Sequence, residues 1–328
     1  MCICPIIFLS VQKNIKNRKQ LEYVINIIYI CVLIVLIYAC LQYFVGIGTV
    51  QIPGITVNFS DYLVAPSGWW RKKANAVSVN NSKIISTYQN GNLFGVNMSL
   101  LFPIVNAIPY KNKFLQYIGL GMFCFCSLVS GSRAFLFAMC FYVFILLIQA
   151  LKEGKIRKKS FIYGILFILI AITLLYRIIN SGNDYVQRVV EVMNWDSLSN
   201  ASNRVPKIQE YLMWLFSGKK SFLHFFIGSF GMNHLGEAYE MLWAGVFIFG
   251  GIIGVFIFYI PFIRIMNMMN YLKETDVIGK GLFNGVLVYL FISMVEGAFW
   301  LLPTAINVWM VIGFCYKLIE LNRTFPMD

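Results

Sequence analysis

The stretch SLVSGSRAFLFAMCFYVFILLI, residues 127–148, decides the fold of this chain. From Ala134 onward it is an apolar run that, as an α-helix, is long enough to cross the hydrocarbon core of a bilayer. Arg133 stands at the entrance to this run, directly after a Ser-Gly-Ser sequence at 130–132. The stretch therefore predicts a membrane-spanning helix that begins beside a cation.

The composition of the whole chain extends this prediction. Of its 328 residues, 59% are hydrophobic and only 12% are charged, which leaves too little polar surface to cover a soluble globule. The net charge is +13, but the Lys and Arg residues lie mostly in short stretches between apolar runs, where the positive-inside rule places them. We therefore expect a polytopic membrane protein, and no nucleic-acid partner is needed to explain the charge.

A hydropathy window of about 19 residues finds about eight transmembrane helices. The expected fold is thus an all-α, polytopic integral membrane protein whose single membrane domain is residues 1–328. An N-terminus on the inside puts most of the basic residues on the cytoplasmic side. The predicted spans are residues 21–45, 93–110, 114–130, 134–151, 160–179, 238–263, 281–302 and 305–318.

This topology leaves two long segments outside the membrane, the first outside loop at 46–92 and the main extracytoplasmic loop at 180–237. The second carries both histidines of the chain and a cluster of cations and carboxylates. Its stretches DYVQRVVEVMNW and RVPKIQEYLMWLF are amphipathic, which predicts helices that lie on the membrane surface. A substrate embedded in the membrane would meet the protein there.

The eight cysteines lie inside or beside apolar runs, and the long polar segments contain none. Cys124 and Cys126 are separated by one residue, but no second cysteine or histidine cluster accompanies them. This distribution indicates neither a disulfide framework nor a metal-ligand spacing, so the cysteines are interpreted as small membrane residues. No metal and no cofactor is expected.

Three motifs follow one another between residues 86 and 259. The first is the Asn-rich STYQNGNLFGVNMSLLFPI, and the second is the Ser-Arg stretch SLVSGSRAFLFAMCFYVFILL. The third comprises NRVPKIQEYLMWLF, FFIGSFGM and EAYEMLWAGVFIFGGIIG, an Arg-led loop helix, a Gly-containing turn and an outside motif that leads into a Gly-rich span. In order and spacing these motifs resemble the bacterial O-antigen ligase and polymerase superfamily, although this chain is shorter than its members usually are.

The residues before the last Gly-rich motif separate the two activities of that superfamily. Ligases typically have a His-Asn pair there, whereas polymerases often have an acidic residue. Here Tyr239 and Glu240 occupy the position, and His234 follows Asn233 further upstream, in the reversed order. The resemblance therefore implies a polymerase that joins polyprenyl-diphosphate-linked oligosaccharide repeat units into a surface polysaccharide, with a ligase as the alternative.

The chemistry of such a donor indicates which residue types it needs. The diphosphate is a good leaving group when fixed cations hold its growing negative charge, and the planar fork of arginine suits this role. A carboxylate or histidine near the acceptor hydroxyl would serve as general base. The candidates are Arg133 and Arg204 for the diphosphate, Glu240 and then His234 for the base, and Arg188 and Glu296 in supporting positions.

Each assignment has a structural alternative. Arg133 would also serve as an interfacial anchor, and the loop arginines as the solvated face of an amphipathic helix. Glu240 would also favour the N-terminus of the following helix, and His234 would also lie near lipid headgroups. Glu296, expected within a span near its outer end, would also pair with a neighbouring helix.

A lipid-linked glycan flippase or another transporter is the alternative from a different functional class. Transporters commonly have internal repeats, and no two halves of this chain match. The expected location is therefore the bacterial cytoplasmic (inner) membrane, with catalysis at its outer face. The expected partners are the lipid-linked donor, membrane lipid, a chain-length regulator and a flippase.

Overall fold

The computed structural model of the chain describes residues 3–46, 50, 52, 84–88, 91–108, 113–154, 212–213, 216, 223–228, 241–296, 299 and 301–324. Within these ranges every regular element is an α-helix and no strand occurs, so the all-α fold class is confirmed for this part of the chain. The helices are α1 Ile3–Asn14, α2 Arg18–Val45, α3 Gly91–Ala107, α4 Lys113–Val129, α5 Arg133–Lys152, α6 Leu223–Ile227, α7 Leu242–Leu272, α8 Val277–Ser293 and α9 Leu302–Thr324.

Helices occur at seven of the eight predicted spans. Four of them, α2, α5, α7 and α9, are long and apolar enough to cross a membrane, which supports a membrane protein. Helices α3, α4 and α8 are shorter, at 17 residues each. The remaining predicted span, 160–179, and most of the two outside loops lie outside the described residues, so the count of eight spans stays a prediction.

Helix α8 corrects the prediction of a span at 281–302. It begins earlier, at Val277, because the carboxylate of Asp276 accepts two backbone N–H groups of its first turn at 2.8 and 3.3 Å. It ends at Ser293, and α9 begins only at Leu302. Hydropathy missed this boundary because the connecting sequence, AFWLLP at 298–303, is itself apolar.

Helix α3 is the centre of the bundle, since nearly all of its residues are buried and it contacts α2, α4, α5, α8 and α9. Its closest neighbour is α8, where Gly281 and Gly285 face it one turn apart. A Cβ at Gly281 would lie 2.7 Å from the carbonyl oxygen of Ile104, and a Cβ at Gly285 would lie 2.6 Å from that of Leu100. The two glycines therefore let the helix backbones touch, as small residues do in membrane bundles.

Helices α2, α4 and α8 run opposite to α3, α5, α7 and α9, which gives the described bundle two ends. At one end, called the basic end, Arg18 donates to the buried carboxylate of Asp276 at 2.7 and 3.2 Å, and Lys280 pairs with Glu153. At the other, called the Glu296 end, α3, α5, α7 and α9 begin and α8 ends. The charge rule of the sequence assigns the basic end to the cytoplasm.

An aromatic cluster fills the space between α3, α4 and α5, between these two ends. Its five rings are buried and interlock edge to face or stacked, with Phe102 and Phe123 at a centroid distance of 4.2 Å. The cluster joins α3, α4 and α5, and it is apolar apart from one hydroxyl group. Its members are Phe94, Phe102, Phe123, Phe135 and Tyr142.

Helix α1, which precedes the first predicted span, packs along α9. The amide of Gln12 donates to the carbonyl oxygen of Gly313 at 2.7 Å, and a Cβ at Gly313 would lie 3.0 Å from Val11. The ring of Phe8 meets Trp309 and Tyr316 edge to face. α1 therefore covers one side of the bundle near the basic end.

Candidate functional site

Arg133 is the first residue of α5, and a rigid turn places it. The hydroxyl of Ser132 caps the helix by accepting the backbone N–H of Phe135 at 3.4 Å. The hydroxyl of Ser130 accepts the N–H of Ser132 at 3.2 Å, and Gly131 takes the left-handed conformation that the turn requires, at φ 66°. Both serines are buried, whereas Arg133 is half-buried. The Ser-Gly-Ser sequence thus explains the orientation of the helix start that carries the arginine.

A non-helical segment, residues 84–88, lies beside this turn, and its Ile84 and Ser86 are buried. The backbone N–H of Ile84 donates to the carbonyl oxygen of Ser130 at 3.2 Å. The amide of Gln42 pairs with the backbone of Ser86, donating to its carbonyl at 3.0 Å and accepting its N–H at 2.7 Å. Ser86 has φ 50° and donates its hydroxyl to the carbonyl of Val35 at 2.6 Å. Backbone outside a helix is tolerated inside a membrane bundle when it is satisfied in this way.

An amide in the first turn of α3 binds a carboxylate at the same end of the bundle as Arg133. A Cβ at Gly95 would lie 2.5 Å from Cβ of Phe135, so α3 and α5 touch one turn below their starts. Asn92, at the start of α3, donates from Nδ2 to Oε2 of Glu296 at 3.0 Å. Glu296 is only 5% exposed and lies three residues after the end of α8, so it is not part of the helix that was predicted to carry it. A buried carboxylate needs such donors, because burial without them is costly.

The start of α9 joins this polar region through a network of amides. Nδ2 of Asn97 donates to Oγ1 of Thr304 at 3.0 Å, and Nδ2 of Asn307 donates to Oδ1 of Asn97 at 2.7 Å. The side chain of Asn307 also hydrogen-bonds Tyr88, whose pKa is raised by burial so that its hydroxyl stays neutral. The network fixes α3, α9 and residues 84–88 relative to one another.

Two of the quoted Gly-containing motifs contact each other. Gly251 breaks α7 with φ 60° and ψ −161°, and Gly228, directly after α6, has φ 77°. A Cβ at Gly251 would lie 2.3 Å from the carbonyl oxygen of Phe226, and one at Gly228 would lie 2.3 Å from that of Phe249. Only glycine fits both conformations and this backbone contact, so the motif glycines hold α6 against the break in α7.

The start of α7 also lies at the Glu296 end. The indole N–H of Trp243 donates to the carbonyl oxygen of Met294 at 3.2 Å, two residues before Glu296. The preceding segment of the chain carries the predicted bases Glu240 and His234, and both lie outside the described residues, as do Arg188 and Arg204. Of the predicted site residues, the structure therefore places Arg133 and Glu296, and it places them at the same end of the bundle.

Sequence analysis missed the amides of this site. Asn92 and Asn97 lie within the quoted Asn-rich motif, but the motif served only to mark a resemblance. A stronger signal was available, since amide side chains within or beside predicted spans are buried in the bundle more often than they face lipid. The same argument would have pointed to Gln42 and Asn307.

The described residues contain no group of three or more His, Cys, Asp or Glu side chains that could hold a metal ion. The chemistry available at the Glu296 end is that of a half-buried guanidinium, a buried carboxylate and several fixed amides. Such a set binds anionic oxygens and hydroxyl groups. A scan against protein-family models and searches of the curated proteins and of the solved structures found no match to this chain.

Proposed function

We propose that this chain is a membrane glycosyltransferase that polymerises polyprenyl-diphosphate-linked oligosaccharide repeat units at the outer face of the bacterial cytoplasmic membrane. The product would be an O-antigen, a capsule or an exopolysaccharide. The proposal rests on the ordered motifs of the sequence. The observation that carries it is the grouping of Arg133 with the Asn92–Glu296 pair at one end of the bundle.

In this proposal the arginines stabilise the negative charge of the leaving group. The bond between the anomeric carbon and the diphosphate breaks, and negative charge develops on the departing diphosphate. Arg133 would bind two of its oxygens with the paired N–H groups of the guanidinium, and Arg204 would add a second cation. A fixed cation in a site with little water stabilises such charge without reorganisation. The capped, buried turn before Arg133 supports this role, because it holds the helix start rigid.

The acceptor sugar needs a base to take its hydroxyl proton as the new bond forms. Glu240 is the first candidate and His234 the second. Glu296 is assigned to support, since Asn92 already holds one of its oxygens and it is almost fully buried. Arg188 would add positive charge from the main extracytoplasmic loop.

The location of the polar groups supports catalysis at one membrane face. The aromatic cluster fills the space between α3, α4 and α5 with buried apolar rings, between the Glu296 end and the basic end. A flippase would need a polar route through the membrane, which these rings do not provide.

Deletion of the gene distinguishes the three candidate activities. Loss of a polymerase should leave single repeat units on the outer face, still transferable to their final carrier. Loss of a ligase should accumulate long chains on the polyprenyl diphosphate, and loss of a flippase should trap single units on the inner face. Gel analysis of surface glycan together with analysis of the lipid-linked pool separates these outcomes, and accumulated lipid-linked polymer would reject the polymerase.

Arginine-to-lysine variants test the site itself. Arg133→Lys keeps a charge but loses the paired donor geometry, so we expect a large loss of polymer with a normal amount of protein in the membrane. Arg264→Lys, at an exposed position of α7, is the matched control and should keep full activity. An interfacial anchor would tolerate lysine, so equal activity of the two variants would leave Arg133 without a catalytic role.

A base variant completes the test. Glu240→Gln nearly keeps the shape of the side chain but cannot take a proton, so it should reproduce the single-unit band of the deletion. A normal ladder from this variant would contradict the assignment and shift the role to His234.

A further inference from the structure

A cavity of about 500 Å³ opens at the basic end, on the side of the aromatic cluster opposite Arg133. Four helices line it, α3, α4, α5 and α8. Its volume lies in the range of small-molecule sites, and it is lined by polar as well as apolar side chains. The proposed polymerase site makes no use of it.

The inner wall of the cavity consists of amides and one hydroxyl group. Nδ2 of Asn106 donates to the hydroxyl oxygen of Tyr142 at 2.9 Å, and Nε2 of Gln116 donates to the carbonyl oxygen of Asn106 at 2.5 Å. Across the cavity, Gln149 and Asn284 pair through their side-chain amides at 2.8 Å. Within the described part of the chain, Oδ1 of Asn106 and Oε1 of Gln116 have no hydrogen-bond partner, so two acceptors remain available to a ligand.

The rim of the cavity carries charge. The ammonium group of Lys280 pairs with the carboxylate of Glu153, and both side chains are partly exposed. One carboxylate occupies only one of the three N–H donors of a lysine. The ammonium group therefore keeps N–H donors for an anion at the rim.

Together these groups match one ligand chemistry. Amide groups both donate and accept hydrogen bonds, as the hydroxyls of a polyol require, and a lysine at the rim binds a phosphate as a point charge. An apolar ligand would leave the inner acceptors unsatisfied at a cost. Tyr142 closes the cavity towards the aromatic cluster, so the ligand must come from the basic end.

We propose that the cavity at the basic end, lined by Asn106, Gln116, Gln149 and Asn284 with Lys280 at its rim, binds a phosphorylated polyol. The phosphate lies against Lys280 and the hydroxyls against the amides. A free glycerol phosphate and the headgroup of phosphatidylglycerol carry this same chemistry. The site is independent of the proposed polymerase activity.

The test uses the full chain in phosphatidylcholine nanodiscs. Calorimetric titration with sn-glycerol 3-phosphate tests the soluble source, and native mass spectrometry after adding phosphatidylglycerol tests the lipid source. Lys280→Met should weaken binding about tenfold or more, since it removes a charge-assisted hydrogen bond. Lys273→Met, which removes the same charge from a partly exposed lysine that contacts Asn270 and Phe283 outside the cavity, should bind as the wild type does.

A gain-of-binding variant separates the proposal from a folding defect. Glu153→Gln removes the competing carboxylate from Lys280, so it should tighten binding several-fold. The double variant Gln149→Leu with Asn284→Leu removes both partners of the amide pair and should abolish the preference for glycerol phosphate over inorganic phosphate.

Three results would overturn the proposal. The first is that neither glycerol phosphate nor phosphatidylglycerol binds the wild-type protein. The second is that the Lys280 and Lys273 variants bind alike. The third is that inorganic phosphate binds the wild-type protein as tightly as glycerol phosphate does, which would deny any role to the amides.

Discussion

Replacing Asp276 with alanine is expected to cost about 2–3 kcal/mol of unfolding free energy. The carboxylate is 1% exposed, accepts two guanidinium N–H groups of Arg18, and caps α8. Loss of the cap costs about 1 kcal/mol. The ion pair adds about 1–2 kcal/mol and not more, because the side chain of Arg18 is 47% exposed and solvent screens it.

Three further variants divide this cost into its parts. Asp276→Asn keeps an oxygen that caps α8 but removes the charge, so it should lose about 1–2 kcal/mol. Arg18→Ala should lose a similar amount, and the two changes together should be less than additive. Glu22→Ala breaks an exposed pair with the same arginine on α2 and should lose only about 0.3–0.5 kcal/mol.

The assay is unfolding of the purified protein in mixed micelles with rising dodecyl sulfate, followed by circular dichroism. We expect the order of stability wild type, Glu22→Ala, Asp276→Asn, Asp276→Ala. If Asp276→Ala lies within about 0.5 kcal/mol of Glu22→Ala, the contact between α2 and the turn from α7 to α8 does not hold the basic end together.

Gly285→Ala should destabilise the bundle by about 1–3 kcal/mol in the same micelle assay, because the new methyl group would clash with the backbone of α3. Gly121→Ala is the control; a Cβ there has no neighbouring atom within 4 Å, so this variant should be neutral or slightly stabilising. Ser132→Ala removes the cap of α5 and should lower the free energy of unfolding by up to about 1 kcal/mol, measured by thermal unfolding. Ser132→Thr keeps a capping hydroxyl and should retain most of the stability. Reporter fusions after Gly154 should report the cytoplasm and fusions near Asn200 the outside; a cytoplasmic reporter at Asn200 would reverse the topology that the charges predict.

The sequence by itself determined the class of the fold and the positions of most helices. The free energy of transferring a long apolar segment from water to lipid depends on that segment alone. Helices α2, α5 and α7 were therefore located without knowledge of their neighbours. It also placed Arg133 at the start of a helix, because the long apolar run begins directly after this residue.

The end of α8 was not predictable in this way. The apolar sequence continues through the turn into α9, and hydropathy cannot distinguish an apolar turn inside a protein from an apolar helix. The structure moved Glu296 out of the helix and into contact with Asn92. The contact between Glu296 and Asn92 therefore depends on where α8 ends, which is determined by packing and not by hydropathy.

Only the tertiary structure decided which polar groups meet. Asn92 and Glu296 are separated by 204 residues, Arg18 and Asp276 by 258, and Gln42 reaches a backbone segment 44 residues away. No local sequence pattern predicts such pairs, because all apolar helix faces are equally soluble in lipid. Which helices associate depends on shape, small residues and hydrogen bonds. Gly281 and Gly285 allow α8 to touch α3, and this close packing, which hydropathy does not report, orders the bundle and assembles both of its polar ends.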